Sequence, residues 1–317
     1  MIGEMMDHER PVRVDTARIY AGGNSEKMLG RVLKSLDGES QPIIGSKAHP
    51  SQPNGLSPKG IHAQLEASLD AVGAVKFAEY YLHQPDPENP LLGSLECLHD
   101  LVNKSKIQEI GMSNYHWSEM SRAFELCEEN GLHKPKVYQG LYNPLNRRVE
   151  DQLLPLLKEK GCAFVAYNPL AAGLLTGKHT NDGDVKEGRF KDNPNYLPRF
   201  YTPSNFEAVE IIQKACNEAN ISMVEASYRW LLRHSELTGE DGLLLGASDI
   251  DQLRQNLSAF RGAEAEDLPQ SMLDAFDAAY EIVEKDDPFP YWRSYSSDMP
   301  GRETLDQGAS YSAAKTK

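Results

Sequence analysis

Short runs dense in β-branched and apolar residues alternate along this chain with longer stretches in which apolar positions return every three or four residues. The short runs predict strands at residues 12–17, 43–47, 77–83, 109–113, 137–141, 163–168 and 242–247. The longer stretches predict amphipathic helices at 25–36, 58–71, 92–104, 117–130, 149–160, 206–218, 223–233, 250–260 and 269–283. Strict alternation implies a parallel sheet, because parallel neighbours need a long crossover that a helix supplies. A closed barrel and an open doubly wound sheet both satisfy this. Polar residues stand at the C-terminal ends of all seven predicted strands: Asp15, Lys47, His83, Ser113 with Asn114, Gln139, Asn168 and Ser248. That is the end at which a β/α barrel assembles its site. The Gly-x-Gly-x-x-Gly turn of the doubly wound dinucleotide fold is missing from the chain. The expected fold is therefore α/β, a (β/α)8 TIM-type barrel forming one domain over residues 1–293.

Two segments break the alternation. Residues 171–204 are rich in Gly, Asn, Asp and Pro, and a loop of this length is either a functional cover or a disordered insertion. Residues 294–317 carry no apolar periodicity and are expected to be a disordered tail.

Composition narrows the class. The 317 residues are 40% hydrophobic and 8% aromatic, enough for a large globular core, and no apolar run approaches the roughly 18 residues of a membrane span. Glu4, Asp7, Glu9 and Arg10 near the start suit neither a secretory signal nor a transit peptide, so a cytoplasmic location is expected. A net charge of −14 argues against nucleic acid or an anionic membrane as partner. Cys97, Cys127, Cys162 and Cys216 are widely spaced, without Cys-x-x-Cys or paired His at ligand spacing, and read as buried thiols; no metal site is expected.

The candidate chemistry begins at Val14-Asp15-Thr16-Ala17-Arg18-Ile19-Tyr20. A free tyrosine has a pKa of about 10, so a catalytic Tyr20 needs a cation beside it. Lys47 supplies one, Asp15 on the neighbouring strand gives that lysine its counterion, and His83 on the next can orient a carbonyl oxygen. Such a set serves general-acid reduction of a carbonyl. Singly each residue has a plainer reading, Asp15 as part of a helix cap and His83 as a core histidine; four in order on successive units point to the chemistry. Ser113, Asn114 and Gln139 either grip a carboxamide or cap strand ends. Tyr167 either stacks on a planar ring or fills the core. Pro169-Leu170-Ala171-Ala172-Gly173-Leu174-Leu175-Thr176-Gly177-Lys178 is no P-loop, since three residues separate its glycines and His179 stands where Ser or Thr would be required. Its freed N–H groups and Lys178 can nevertheless wrap a pyrophosphate. Gly246 and Ser248, leading into a helix with Gln252 and Asn256, form either a phosphate seat or a plain cap.

Asp-Thr-Ala-x-x-Tyr, the strand-ending Lys47, Tyr-Leu-His ending at His83, Gly-Met-Ser-Asn, Tyr-Gln-Gly-Leu-Tyr-Asn and Asn-Pro-Leu-Ala-x-Gly-Leu-Leu-Thr-Gly-Lys together make residues 14–292 resemble the aldo-keto reductases, in particular the aflatoxin-aldehyde reductase branch and its fungal relatives. The resemblance implies an NADPH-dependent reductase of aldehydes or ketones, without metal, acting on a small-molecule carbonyl substrate as a homodimer. Carried over by position, Tyr20 is the proton donor, Asp15 and Lys47 tune it, and His83 orients the carbonyl. Ser113, Asn114 and Gln139 hold the carboxamide and Tyr167 stacks on the nicotinamide. Asn168, Leu170, Gly173, Leu175, Gly177 and Lys178 wrap the pyrophosphate, Gly246, Ser248, Gln252 and Asn256 meet the adenosine end, and Arg189 lies near the cofactor. Two departures stand out. Only thirteen residues precede Val14, too few for the family's first strand and crossover helix, so the first β/α unit is expected to be missing or altered, with residues 1–6 a remnant of that strand. Gln252 and Gly246 stand where many relatives place a cation against the 2′-phosphate. A cofactor-binding regulatory protein, as among potassium-channel β subunits, and a truncated isoform of weak activity are the alternatives these departures raise.

Overall fold

The computed structural model describes residues 1–6, 12–36, 41–179, 190 and 196–309. In chain order the elements are α1 (Ile2–Met6), β1 (Arg13–Asp15), α2 (Asn24–Leu33), β2 (Ile43–Ala48), α3 (Pro58–Val72), β3 (Phe77–Leu82), α4 (Leu91–Asn103), β4 (Ile107–Ser113), α5 (Trp117–Glu129), β5 (Val137–Leu141), α6 (Leu153–Lys160), β6 (Ala163–Tyr167), α7 (Leu197–Phe200), α8 (Pro203–Ala219), α9 (Met223–Arg233), β7 (Gly242–Leu243), α10 (Ile250–Ala265) and α11 (Gln270–Lys285). Local chemistry sets many boundaries. Ser57, Thr202, Ser222 and Asp249 each accept a first-turn N–H through the side chain, and Pro58 and Pro203 open their helices where a missing N–H costs nothing.

The chain forms two compact units. The first holds Met1–Gln139, Pro155–Ala163 and Tyr291–Gly308. Its strands pair in parallel and in chain order, Val14 opposite Ile44, Lys47 opposite Tyr81, Leu82 opposite Met112 and Ser113 opposite Gln139. The sheet curls enough for Gln139 on β5 to donate to Asp15 on β1 at 3.0 Å. Ile61, Leu65, Leu95, Leu98 and Phe124 of the helices are buried, as are Phe77, Tyr80, Ile110 and Met112 of the strands. Helix α2 lies so close to α3 that a Cβ on Gly30 would sit 2.3 Å from the Ala71 carbonyl oxygen, so only glycine fits.

The second unit holds, among the described residues, Gly140–Leu154, Phe164–Pro290 and Ala309. Here β6 pairs in parallel with β7, Val165 opposite Gly242, while α8 packs on α11 and α9 on α10. Tyr142, Phe164, Trp230 and Phe276 form an aromatic core, with the Arg147 guanidinium 4.3 Å from the Trp230 ring centroid. Parallel strands in chain order with crossover helices are the β/α-barrel pattern the sequence predicts, and the fold class is α/β.

Several expectations change. Residues 2–6 are helical, not a strand remnant. Helix α6 starts at Leu153, four residues late, because Pro155 is tolerated only in a first turn. Strand β7 stops after two residues, although Leu244 still donates to Ala166 O at 2.9 Å. Residues 294–309, expected in a disordered tail, are packed: Tyr295 and Ser296 are buried, Arg122 pairs with Asp298 at 2.6 Å and Trp292 donates to Asp306 O at 3.0 Å. The segment is held by single polar contacts and aromatic rings, which periodicity does not register. Residues 310–317 lie outside the described part. Within 171–204 the structure shows a 3-10 turn at Ala171–Thr176 and the helix α7; 180–189 and 191–195 lie outside the described residues. No described helix is long and apolar enough to cross a membrane. All four cysteines are buried and none is in a disulfide, and burial pushes the thiols of Cys97, Cys127 and Cys216 up to about 11.

Candidate active site

Beyond Asp15 the chain follows β2 a little further, with Thr16 N donating to Gly45 O and Arg18 N to Lys47 O, and then enters the turn Tyr20–Gly23. Ala21 at φ 49° and Gly22 at φ 62° reverse it. Arg18 folds over Gly23 and donates to Glu26 at 2.7 Å, and Ser46 donates to the other oxygen of the fully buried Glu26 at 2.8 Å. That network ties the turn to β2. It places the Tyr20 ring centroid 5.2 Å from Lys47 Nζ. Tyr20 is 37% exposed and Lys47 wholly buried, so a solvent-reachable phenol lies beside a buried ammonium.

Lys47 pairs with Asp15, donates to Thr16 O at 3.0 Å and shares a side-chain hydrogen bond with Tyr20. Burial alone would lower its pKa, but Asp15 and Tyr20 outweigh burial and leave it raised, so the ammonium persists. Gln139, expected to grip a carboxamide, donates to the other Asp15 oxygen. Against the lysine lies the ring of Tyr81, 5.4 Å from Nζ, whose hydroxyl donates to Glu79 at 2.9 Å. A Cβ on Gly111 would come within 2.3 Å of that ring. The glycine in β4 thus clears the space for it.

The His83 ring meets Tyr20 edge-to-face at 5.6 Å and His49 at 5.1 Å. Burial foremost, then Lys47, His49 and Arg293, pushes its pKa well below that of a free histidine, so the imidazole is neutral. Asn114, in the left-handed region at φ 62°, donates to His83 O at 2.8 Å and to Ser113 Oγ at 2.9 Å; both residues are buried. Asp15, Tyr20, Lys47, His83, Ser113, Asn114 and Gln139 therefore form one cluster in the first unit. The arrangement can present a phenolic proton and an imidazole N–H to one small-molecule oxygen.

In the second unit, Tyr167 is half-buried at the end of β6, and Asn168 O accepts from Asn143 at 3.0 Å. After Leu170, positive φ values at Ala171, Ala172 and Gly173 turn the backbone. Leu175 is buried, and Gly177, at φ 72°, is close enough to Gln213 that a Cβ would meet its Oε1 at 2.7 Å. Gly246 O accepts from Asn256 at 3.0 Å, and Ser248 donates through N and Oγ to Gln252 Oε1 at 2.7 and 3.1 Å. Asp249 caps α10 by accepting from Gln252 N at 2.8 Å. That bond foremost, and the exposed Lys178 to a smaller degree, holds its carboxyl below the usual range. The expected phosphate seat thus carries a carboxylate, for which an Asp just before a helical run was the available signal. Arg189 lies outside the described residues. Tyr81, Gly111, His49, Gln84 and Arg293 belong to the first-unit cluster and were not anticipated. Glycine facing an aromatic on the adjacent strand could have flagged the first two; the others come together only on folding.

Fold and site define an α/β enzyme with its polar machinery at strand ends. The Aldo/keto reductase family model matches residues 13–281, and the chain belongs to that family. It is thereby an oxidoreductase of carbonyl groups. The chain is 38% identical over 288 residues to aflatoxin B1 aldehyde reductase member 2 of Rattus norvegicus, covering 87% of this chain and 78% of that one. It is also 38% identical over 288 residues to aldo-keto reductase family 7 member A3 of Homo sapiens, covering 87% and 86%. An aldo-keto reductase of Pseudocercospora fijiensis is 32% identical over 292 residues, covering 88% and 96%.

Proposed function

We propose that this protein reduces an aldehyde or ketone to the alcohol at the expense of NADPH, with Tyr20 as proton donor. The observation that carries this reading is an accessible phenol hydrogen-bonded to a fully buried lysine whose counterion is Asp15. The relatives named as aldehyde reductases support it. Lys47 stabilises the phenolate left after Tyr20 gives up its proton, and Asp15 keeps the lysine charged. His83, neutral, donates a hydrogen bond that sets the carbonyl oxygen against Tyr20.

The residues present fit a nicotinamide cofactor. In the first unit the Ser113 hydroxyl and the amides of Asn114 and Gln139 offer both donors and acceptors, which a carboxamide requires. In the second, successive positive φ angles at Ala171, Ala172 and Gly173, followed by Lys178, suit a pyrophosphate, and Tyr167 offers a ring face. Gly246, Ser248, Gln252 and Asn256 are the proposed adenosine contacts, and Arg189 is proposed to lie near the cofactor. The reduced cofactor supplies the hydride.

The test is fluorescence titration with NADPH followed by steady-state reduction of a panel of aldehydes and ketones. Saturable binding with turnover is expected. Saturable binding with no turnover across the panel would instead mark a regulatory cofactor-binding protein.

A further inference from the structure

His49 follows the site lysine by two residues, and its ring stands against that of His83 at 5.1 Å and 88°. It is itself tightly held. Its backbone N–H donates to Gln64 Oε1 at 2.8 Å and its carbonyl accepts from Gln64 Nε2 at 3.3 Å, while that buried amide also donates to Gly55 O at 3.0 Å. The ring Nδ1 accepts from Ser51 N at 3.0 Å and meets Ser51 Oγ at 2.7 Å. An imidazole whose Nδ1 accepts from a main-chain N–H carries its proton on Nε2 when neutral. A side-chain hydrogen bond joins His49 to Gln84, and Gln84 Oε1 accepts from Arg293 Nη1 at 3.0 Å. Arg293 N in turn donates to Asn114 O at 2.9 Å, and Asn114 donates to His83 O. The circuit closes on His83.

The His83 ring has no comparable tether. Its Nδ1 is buried without a hydrogen-bond partner among the described residues. The outer torsion of a histidine is broad, so packing must choose its angle. The ring lies between Tyr20, which is partly exposed, and His49, which is anchored at both backbone and ring.

We propose that His49 is a positioning residue for His83, its anchored imidazole forming the wall that fixes the plane of the His83 ring. The proposal rests on the reading of His83 as the group that orients the substrate carbonyl. The groups facing His83 are Tyr20 from the turn after β1, Lys47 on β2, His49 just beyond β2 and Arg293 from the C-terminal segment. A wall among such neighbours must be uncharged. His49 meets this requirement: burial first, then Arg293, lowers its pKa to about 4 against the opposing influence of Gln84 and Asp86.

The test compares His49→Ala and His49→Phe with the wild-type chain. The ring Cε1–H resonance of His83, assigned by its loss in His83→Gln, is followed by NMR through a pH titration, and kcat and KM are measured in parallel. In His49→Ala the His83 resonance is expected to shift and broaden and to titrate at higher pH. In the same variant kcat should fall on the order of 10- to 100-fold, with NADPH binding unchanged. His49→Phe, which restores a wall without a titrating group, should return a narrow line and recover most of kcat. An unchanged His83 resonance in His49→Ala overturns the proposal, as does a phenylalanine variant no better than alanine in line shape. A wild-type chain without turnover would instead sink the reductase reading, and the NMR result would still decide the role of His49.

Discussion

Lys47 is taken out of water completely and kept charged by Asp15, with Tyr20 also hydrogen-bonded to it. Replacing it with methionine leaves Asp15 bonded to Gln139 but without its ion-pair partner and takes the Lys47 ammonium away from Tyr20. Lys47→Met should lower kcat by about 10²- to 10⁴-fold, the scale of general-acid catalysis. Breaking a buried ion pair on one side should also cost about 3–5 kcal/mol, read by urea denaturation. Asp15, Tyr20, Lys47 and His83 were legible in the sequence because each ends a strand or follows one closely, and strand ends of a β/α chain converge. His49, Gln84 and Arg293 were not, since a hydrogen bond across 209 positions, Arg293 to Gln84, leaves no spacing to read. Gln139 was legible as a candidate, but its bond to Asp15 depends on sheet curl that sequence does not display.

At the scale of elements, β4 and α4 offer a sharp contrast between two glycines. Gly111→Ala drives a methyl into the Tyr81 ring, 2.3 Å away, whereas Gly93→Ala in α4 meets nothing within 4 Å. The first should destabilise by about 1–3 kcal/mol and depress kcat by moving the ring against Lys47. The second should stabilise by about 0.5–1 kcal/mol through helix propensity alone, with kcat unchanged. Chemical denaturation and steady-state rates check both. Strands and most helices were legible because burial imposes a period of two or 3.6 and capping residues mark the ends. The late start of α6 was written in Pro155 and passed over. The packed segment through Tyr295 was illegible because its anchors, Glu119 and Arg122, sit on α5, far away in sequence.

At the scale of the molecule, buried titratable groups act on stability against pH in two opposing directions. Glu119 is fully buried, and desolvation raises its carboxyl to about 7, against the pull of Ser296 and Arg122. Between pH 4.5 and 7 the folded state holds this proton and the unfolded state releases it, so this group lowers stability as pH rises, by roughly 3 kcal/mol over the window. His49 and His83 act the other way. Their folded pKa values lie below 6.5, so stability falls as pH drops from 6.5 toward about 4, where His49 titrates. Glu119→Gln keeps an acceptor for Ser296 N and should remove the Glu119 contribution while leaving that of the histidines. Thermal unfolding between pH 4.5 and 8 would show it as a variant that gains on wild type toward high pH. The measurement that bears most directly on the account as a whole is carbonyl reduction by Tyr20→Phe beside its NADPH binding. If Tyr20 is the proton donor, kcat should fall by about 10²- to 10⁴-fold while fluorescence titration gives unchanged cofactor affinity; reduction as fast as wild type would contradict it.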